Sequence, residues 1–199
     1  MAVVNAPLFS FNASGAIAKS LVYFPWKGLD AVRSYVVPAN PQTAGQVAQR
    51  ARLEAGVDMW HTLGLDSDDV DGWDRYAATR PRPQSGFNAF VAQVINFMFG
   101  GLTSAALAML FNGGIVDSGV GQVDFTATED GSAVTVDFLW GYSPTALTNT
   151  AIGVEVLNVW SALNVVAVSG ATVYMRARAR DVAVADIGWS GLYRFGPVS

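Results

Sequence analysis

The spacing of hydrophobic and polar positions changes twice along the chain, from strand-like to helical and back to strand-like. Residues Ala16 to Phe24 carry Ile17, Leu21, Val22, Tyr23 and Phe24, and Leu29 to Val37 carry Val32, Tyr35, Val36 and Val37. β-branched and aromatic residues at this density predict two strands. Between them Pro25-Trp26-Lys27-Gly28 reads as the turn, because proline presets φ and glycine accepts a positive φ. Asn40-Pro41 ends the second strand.

From about Gln42 the pattern becomes helical. Gln49, Leu53, Val57 and Trp60 recur at steps of four, four and three, which places them on one face of a helix closed by Leu63 and Gly64. A second helix begins at Leu65-Asp66-Ser67-Asp68-Asp69, where Asp66 or Ser67 can cap the free N–H groups and the acids suit the positive end of the dipole. Val70, Trp73 and Ala77 form its predicted apolar face, and Pro81 and Pro83 end it. The two helices are expected to form an antiparallel hairpin locked by Trp60 and Trp73.

Ser85-Gly86 opens a third helical segment, Phe87 to Phe99, broken at Gly100-Gly101 before a further apolar stretch, Leu102 to Phe111. No residue between Arg82 and Asp117 is charged, a length sufficient to span a bilayer. Asn88, Gln93 and Asn96 are costly in lipid, the glycine pair interrupts the run, and no basic cluster flanks it. The expectation is therefore a helix buried in the protein or facing another subunit.

Beyond Asn112-Gly113-Gly114 the pattern is again that of strands: Gln122 to Thr128, a turn at Glu129-Asp130-Gly131, Ala133 to Trp140, Ile152 to Val159, Val165 to Val168, Thr172 to Arg180, and Gly191 to Phe195. Alternation is clearest from Val173 to Arg180. There Val173, Met175, Ala177 and Ala179 are expected inside, and Arg176, Arg178 and Arg180 in water. Short strands at this spacing predict a β-sandwich.

Composition adds a reason to expect partners. Of 199 residues, 51% are hydrophobic and 14% charged, against about a quarter charged in an ordinary soluble domain. A surface so short of charge is poorly protected against association, which fits an oligomer, shell or tube. The formal net charge of −4 offers no global basic field for a phosphate backbone. Cysteine is absent, so disulfides, thiolate metal sites and cysteine nucleophiles are excluded. Met1 to Ser10 lacks the basic and apolar regions of a secretory signal, so synthesis in the cytoplasm is expected.

No catalytic constellation emerges. His61 is the single histidine, and at the end of the first helix it suits the dipole or plain exposure. The run Asp66, Asp68, Asp69, Asp71, Asp74 approaches a calcium loop, but counting from Ser67 leaves Ser at the first position and Ala78 at the twelfth, so capping and solvation are expected. The register leaves at most a weak surface calcium site. Gly113-Gly114, Gly119 and Gly121 lack the Lys-Ser/Thr that follows a phosphate loop. Glu129 and Asp130 sit in a turn, where exposed acids are ordinary. Arg50, Arg52, Arg75, Arg80 and Arg82 lie on or near the helical hairpin beside Trp and Tyr, a local patch that DNA would test. Glu54 for Arg50, and Asp71 and Asp74 for Arg75, supply neutralising partners. No cofactor and no metal is expected.

Two stretches resemble known families. Tyr23-Phe24-Pro25-Trp26-Lys27-Gly28, Arg33, Asn40-Pro41-Gln42-Thr43, Gln46, Gln49-Arg50, Trp60, Trp73, Tyr76-Ala77 and Ser85-Gly86-Phe87-Asn88-Ala89-Phe90 together resemble a pattern of uncharacterised phage and prophage proteins, over roughly the first half of the chain. Its residues turn, cap and stack, so the resemblance implies a shared fold more than an activity. Residues Val123 to Val198 resemble a fibronectin type III or immunoglobulin-like sandwich, with Tyr174 to Arg180 as the penultimate strand and Trp189-Ser190-Gly191-Leu192-Tyr193 leading into the last. Such sandwiches decorate phage capsids, necks, tail tubes and baseplates.

The expected fold is α+β: a β-hairpin and helical-hairpin docking module over 1–84, an apolar helical connector over 85–121, and an antiparallel β-sandwich over 122–199. The expected function is non-enzymatic assembly in a tailed-phage virion, as capsid decoration, neck or tail protein. Expected partners are other virion proteins, with a homo-oligomer or lattice, and neither nucleic acid nor membrane. Trp26, Tyr35, Trp60, Trp73 and Phe87 are the expected core or interface anchors. The alternatives are an adhesion module using the loops around Tyr142 to Thr150, and a DNA-contacting protein using the helical hairpin.

Overall fold

The computed structural model describes residues 2–3, 14–27, 29–37, 39–40, 42–129, 133, 135–183 and 185–198. They fall into two compact units, Met1–Thr43 and Ala44–Ser199. The chain is α+β, and the described residues form three α-helices and antiparallel sheets, two of which make a β-sandwich.

The first unit is a sheet of β1 (Ala2–Val3), β2 (Gly15–Ile17), β3 (Leu21–Trp26) and β4 (Leu29–Ser34), in the order β1-β4-β3-β2. The strand expected over Ala16 to Phe24 is divided. Ala18 and Lys19 take positive φ values of 45° and 55°, and the Ser20 amide donates to Ile17 O at 2.8 Å, which reverses the chain between β2 and β3. Pro25 and Trp26 are strand residues rather than turn residues, paired with Asp30 and Leu29. The reversal falls after them, at Lys27, with φ of 51°; Gly28, like Pro41 of the expected strand stop, lies outside the described residues.

The second unit begins with α1 (Ala44–Thr62), α2 (Ser67–Ala78) and α3 (Gly86–Phe99). The starts of α2 and α3 follow capping chemistry. Asp66 accepts from the Asp69 amide while Asp69 accepts from the Asp66 amide, a capping box, and Ser85 accepts from the Asn88 amide. The expected Trp60–Trp73 lock is indirect. Both rings meet Phe90 of α3 edge-on, at centroid distances of 5.2 and 5.1 Å, so α3 is the wedge on which α1 and α2 pack. Such contacts add about 0.5–1.5 kcal/mol each beyond the area they bury.

The expected connector over 85–121 is helical to Phe99, then ends at Gly100 and Gly101, where φ reaches 104°. A short 3-10 turn, Ser104–Ala106, precedes the extended stretch that enters β5 (Leu110–Gly119). Side chains alternate along that stretch: Leu107 and Met109 join the helical core, Ala108 and Leu110 the sandwich core. An unbroken apolar run is what an extended segment buried on both faces requires, and it mimics a helix in sequence. Because this segment serves both cores, the helices lie in the same compact unit as the sandwich, Ala44–Ser199.

One sheet of the sandwich has the order β5-β6-β10-β9, with β6 (Gln122–Glu129), β9 (Val154–Val156) and β10 (Val159–Val166). The other has the order β12-β11-β7-β8, from β7 (Thr135–Gly141), β8 (Asn149–Ile152), β11 (Val173–Arg180) and β12 (Asp186–Trp189), with β13 (Tyr193–Phe195) also on β11. Val123, Phe125, Ala127, Val136, Phe138, Val173, Met175, Ala177 and Ala179 all lie at 0% exposure between them. The strand expected over Ile152 to Val159 is a hairpin instead. Leu157 and Asn158 both have positive φ, 54° and 63°, the two-residue turn that matches strand twist. Asp130 and Gly131 of the expected turn after Glu129 lie outside the described residues. Among the described residues no helix is long and apolar enough to cross a membrane.

Candidate functional site

Strand β11 places three arginines on one face at every second residue, and the structure treats them differently. Arg178 stands opposite Asp137 on β7, and its Nη2 lies 2.9 Å from Asp137 Oδ2. Arg180 pairs with the same oxygen, and Arg178 Nε lies 3.7 Å from Asp186 Oδ1. Arg176, expected in water, is 8% exposed. The reason is that α2 and α3 cover this end of the sheet.

Helix α2 is seated by two glycines. β12 and β13 lie end to end along one edge of β11, and Ser190 to Leu192 bulge between them. The Leu192 amide donates to Gly72 O of α2 at 2.8 Å. A Cβ on Gly191 would stand 2.7 Å from the Gly72 carbonyl carbon, so a side chain there would push the helix off the sheet. Ser190 is fully buried; its Oγ accepts from the Ala177 amide and donates to Gly191 O, both at 2.8 Å. One turn after Gly72, Tyr76 reaches Arg176.

The Arg176 guanidinium carbon lies 3.7 Å from the centroid of the Tyr76 ring, 4.6 Å from Trp189 and 5.5 Å from Trp73. Its Nε donates to Ser190 O at 2.8 Å and its Nη2 to Gln93 Oε1 of α3 at 2.6 Å. The charge is thus met by ring faces and neutral oxygens, each a partial offset to desolvation. Burial pulls this guanidinium down to about 10 from its ordinary 12.5, while Tyr76 favours the cation. Arg80, exposed two residues beyond the end of α2, donates from Nη1 to Tyr76 Oη at 3.2 Å. A cavity of about 410 Å³ is lined by Arg80, Arg176, Tyr76 and Trp189, together with Leu139 and Leu147 from β7 and the loop after it.

The acidic run divides likewise. Asp69, expected to be solvated, is fully buried. Its Oδ2 accepts from the amides of Asp66 at 3.2 Å and Asn112 at 3.0 Å, and its Oδ1 accepts from Tyr193 Oη. Burial first, and then the Asp69 charge, push the Tyr193 phenol far up, so it stays the donor. This carboxylate ties α2, β5 and β13 together. Val70, expected on the buried face, is 37% exposed, because the helix turns Asp69, Gly72, Trp73 and Ala77 inward. Among the described residues no group of three or more His, Asp or Glu side chains is arranged to hold a metal.

The five expected anchors separate. Trp73 is fully buried, Trp60 and Phe87 are half-buried against the helical core, and Trp26 and Tyr35 are 53% and 37% exposed. His61 is exposed in the last turn of α1. Arg75 lies 3.6 Å from Asp71 and also donates to Leu192 O, so it helps seat α2 rather than standing free.

The side of the sandwich formed by β8, β9 and β10 has the opposite character. Ile152, Val154, Val156 and Leu163 are 63–70% exposed and line one concavity of about 480 Å³. Leu157 at the hairpin tip is 91% exposed. Strand β9 ends its sheet, and its three residues, Val154-Glu155-Val156, are all exposed. No signal in the expected continuous strand from Ile152 to Val159 announces this face, since the same residues would fill a core. No family model, curated protein or solved structure matches the chain.

Proposed function

We propose that the protein is a non-enzymatic structural component that works by assembling with copies of itself and with other proteins of a particle. The observation that carries this reading is the exposed apolar side of the sandwich around Ile152, Val154, Val156 and Leu163, at the end strand of a sheet. An apolar end strand presents unpaired backbone groups and dry side chains together, and it is a template for pairing with another chain. Glu155 is the one charge in β9, so little opposes the approach of a second copy. Exposed Trp26 and Tyr35 on the first unit would supply further contacts. Placement in a tailed-phage virion, as decoration, neck or tail protein, rests on the sequence resemblance of the first half of the chain.

Mass photometry and negative-stain microscopy of the purified chain over a concentration series test the reading. Rings, tubes or defined oligomers are expected, and Leu163→Glu should return them to monomers while leaving the circular dichroism spectrum unchanged. A wild-type chain that stays monomeric at every concentration would overturn self-assembly.

A further inference from the structure

Arg176 is a buried cation that no carboxylate of the described residues meets, and it lines a cavity. Among the described residues neither Arg176 nor Arg80 is ion-paired to an acid, whereas Arg178 and Arg180, on the same strand face, share Asp137. Buried charges are ordinarily paired, because neutral partners recover only part of the hydration lost. Nε and Nη2 of Arg176 are held by Ser190 and Gln93, and the guanidinium has further N–H donors beyond these two. The cavity beside it, about 410 Å³, falls in the size range of small-molecule sites, about 300–1,000 Å³. Its lining divides by chemistry into two guanidinium groups, the aromatic rings of Tyr76 and Trp189, and the aliphatic side chains of Leu139 and Leu147, with no acidic residue.

We propose that this cavity binds a small organic acid, an aromatic monocarboxylate, whose carboxylate is held between Arg80 and Arg176 and whose ring lies against Trp189, Leu139 and Leu147. A planar carboxylate matches the guanidinium fork and supplies the charge the site lacks. Arg176 is pre-oriented by Ser190, Gln93 and Tyr76, so little side-chain freedom is lost there on binding. Arg80 is exposed and closes the charge pair from the mouth of the cavity. The site is separate from the β8–β10 face, so its test is independent of assembly.

The test is a titration of the isotope-labelled full chain with benzoate, and in parallel with benzamide, its neutral isostere, followed by amide chemical shifts. Benzoate is expected to give saturable shifts confined to Thr145, Arg176, Trp189 and their neighbours, with benzamide at least about tenfold weaker, the equivalent of one charge-assisted contact. Arg80→Gln, a change at an exposed side chain, should weaken benzoate by about tenfold and leave the remaining spectrum in place. Absence of saturable benzoate shifts at the cavity, equal affinity for benzamide, or unchanged affinity in Arg80→Gln would each overturn the assignment.

Discussion

The two sides of the sandwich invert the usual division of residues. Where α2 and α3 cover the β11 sheet, the buried side chains include Asp69, Arg176 and Ser190, and each is bonded to partners from other elements. On the β8–β10 side, Val154, Val156 and Leu163 stand in water. The covered side uses polar groups as ties, since a buried polar atom is tolerated only when its partners are built in, and those partners then set the docking of helix on sheet. The bare side has apolar area that none of the described residues covers, and burial of such area against another surface would be favourable.

The comparison can be broken most strongly at Phe90, which is 1% exposed and touches both Trp60 and Trp73. Phe90→Ala should cost about 3–5 kcal/mol in urea unfolding, through lost burial and the cavity left between three helices; a loss under about 1 kcal/mol would show that α3 is not the wedge. Next is Tyr193→Phe. It leaves Asp69 Oδ1 buried without its phenol donor, at an expected cost of about 1.5–3 kcal/mol. A neutral result would mean that the carboxylate is satisfied by its two amides alone.

Smaller effects sharpen the contrast. Glu129, at the end of β6, has its carboxyl pushed above the ordinary 4.5, first by burial and further by the nearby Glu155 on β9. Its folded pKa exceeds its unfolded one, so the protonated form's contribution is complete below about pH 4.5 and is lost as pH rises through the folded value. Glu129→Gln should therefore raise Tm relative to wild type near neutral pH, with the advantage shrinking below pH 4.5. A pH-independent difference would assign the effect to packing. Smallest on stability is Leu163→Glu, within about 0.5 kcal/mol because the side chain is already in water, even though it should remove assembly. A large loss of stability there would mean that the bare side is part of the folding core.

Much of the local architecture was legible. Asp66 and Ser85 announced two helix starts because capping is a contest between neighbouring groups, decided within four residues. The alternation of Val173, Met175, Ala177 and Ala179 located the inner face of β11 for the same reason, since a strand's side-chain period is a property of its own backbone. The stretch from Leu102 to Phe111 reads in sequence as part of a helical connector, because an apolar run does not say whether it lies on one helix or between two cores. Asp69 was invisible as a buried tie, since its partner Tyr193 lies 124 residues away.

Local sequence is enough for the three described helices and for β4, β6, β7, β11 and β13, because these depend on backbone geometry and on neighbours a few positions away. The tertiary structure decided what covers each face. Arg176, Arg178 and Arg180 are chemically the same residue at the same period. One lies among the rings of Tyr76, Trp73 and Trp189 and the other two on Asp137, because α2 settles on Gly191 at one end of the strand and leaves the other end to its neighbours in the sheet.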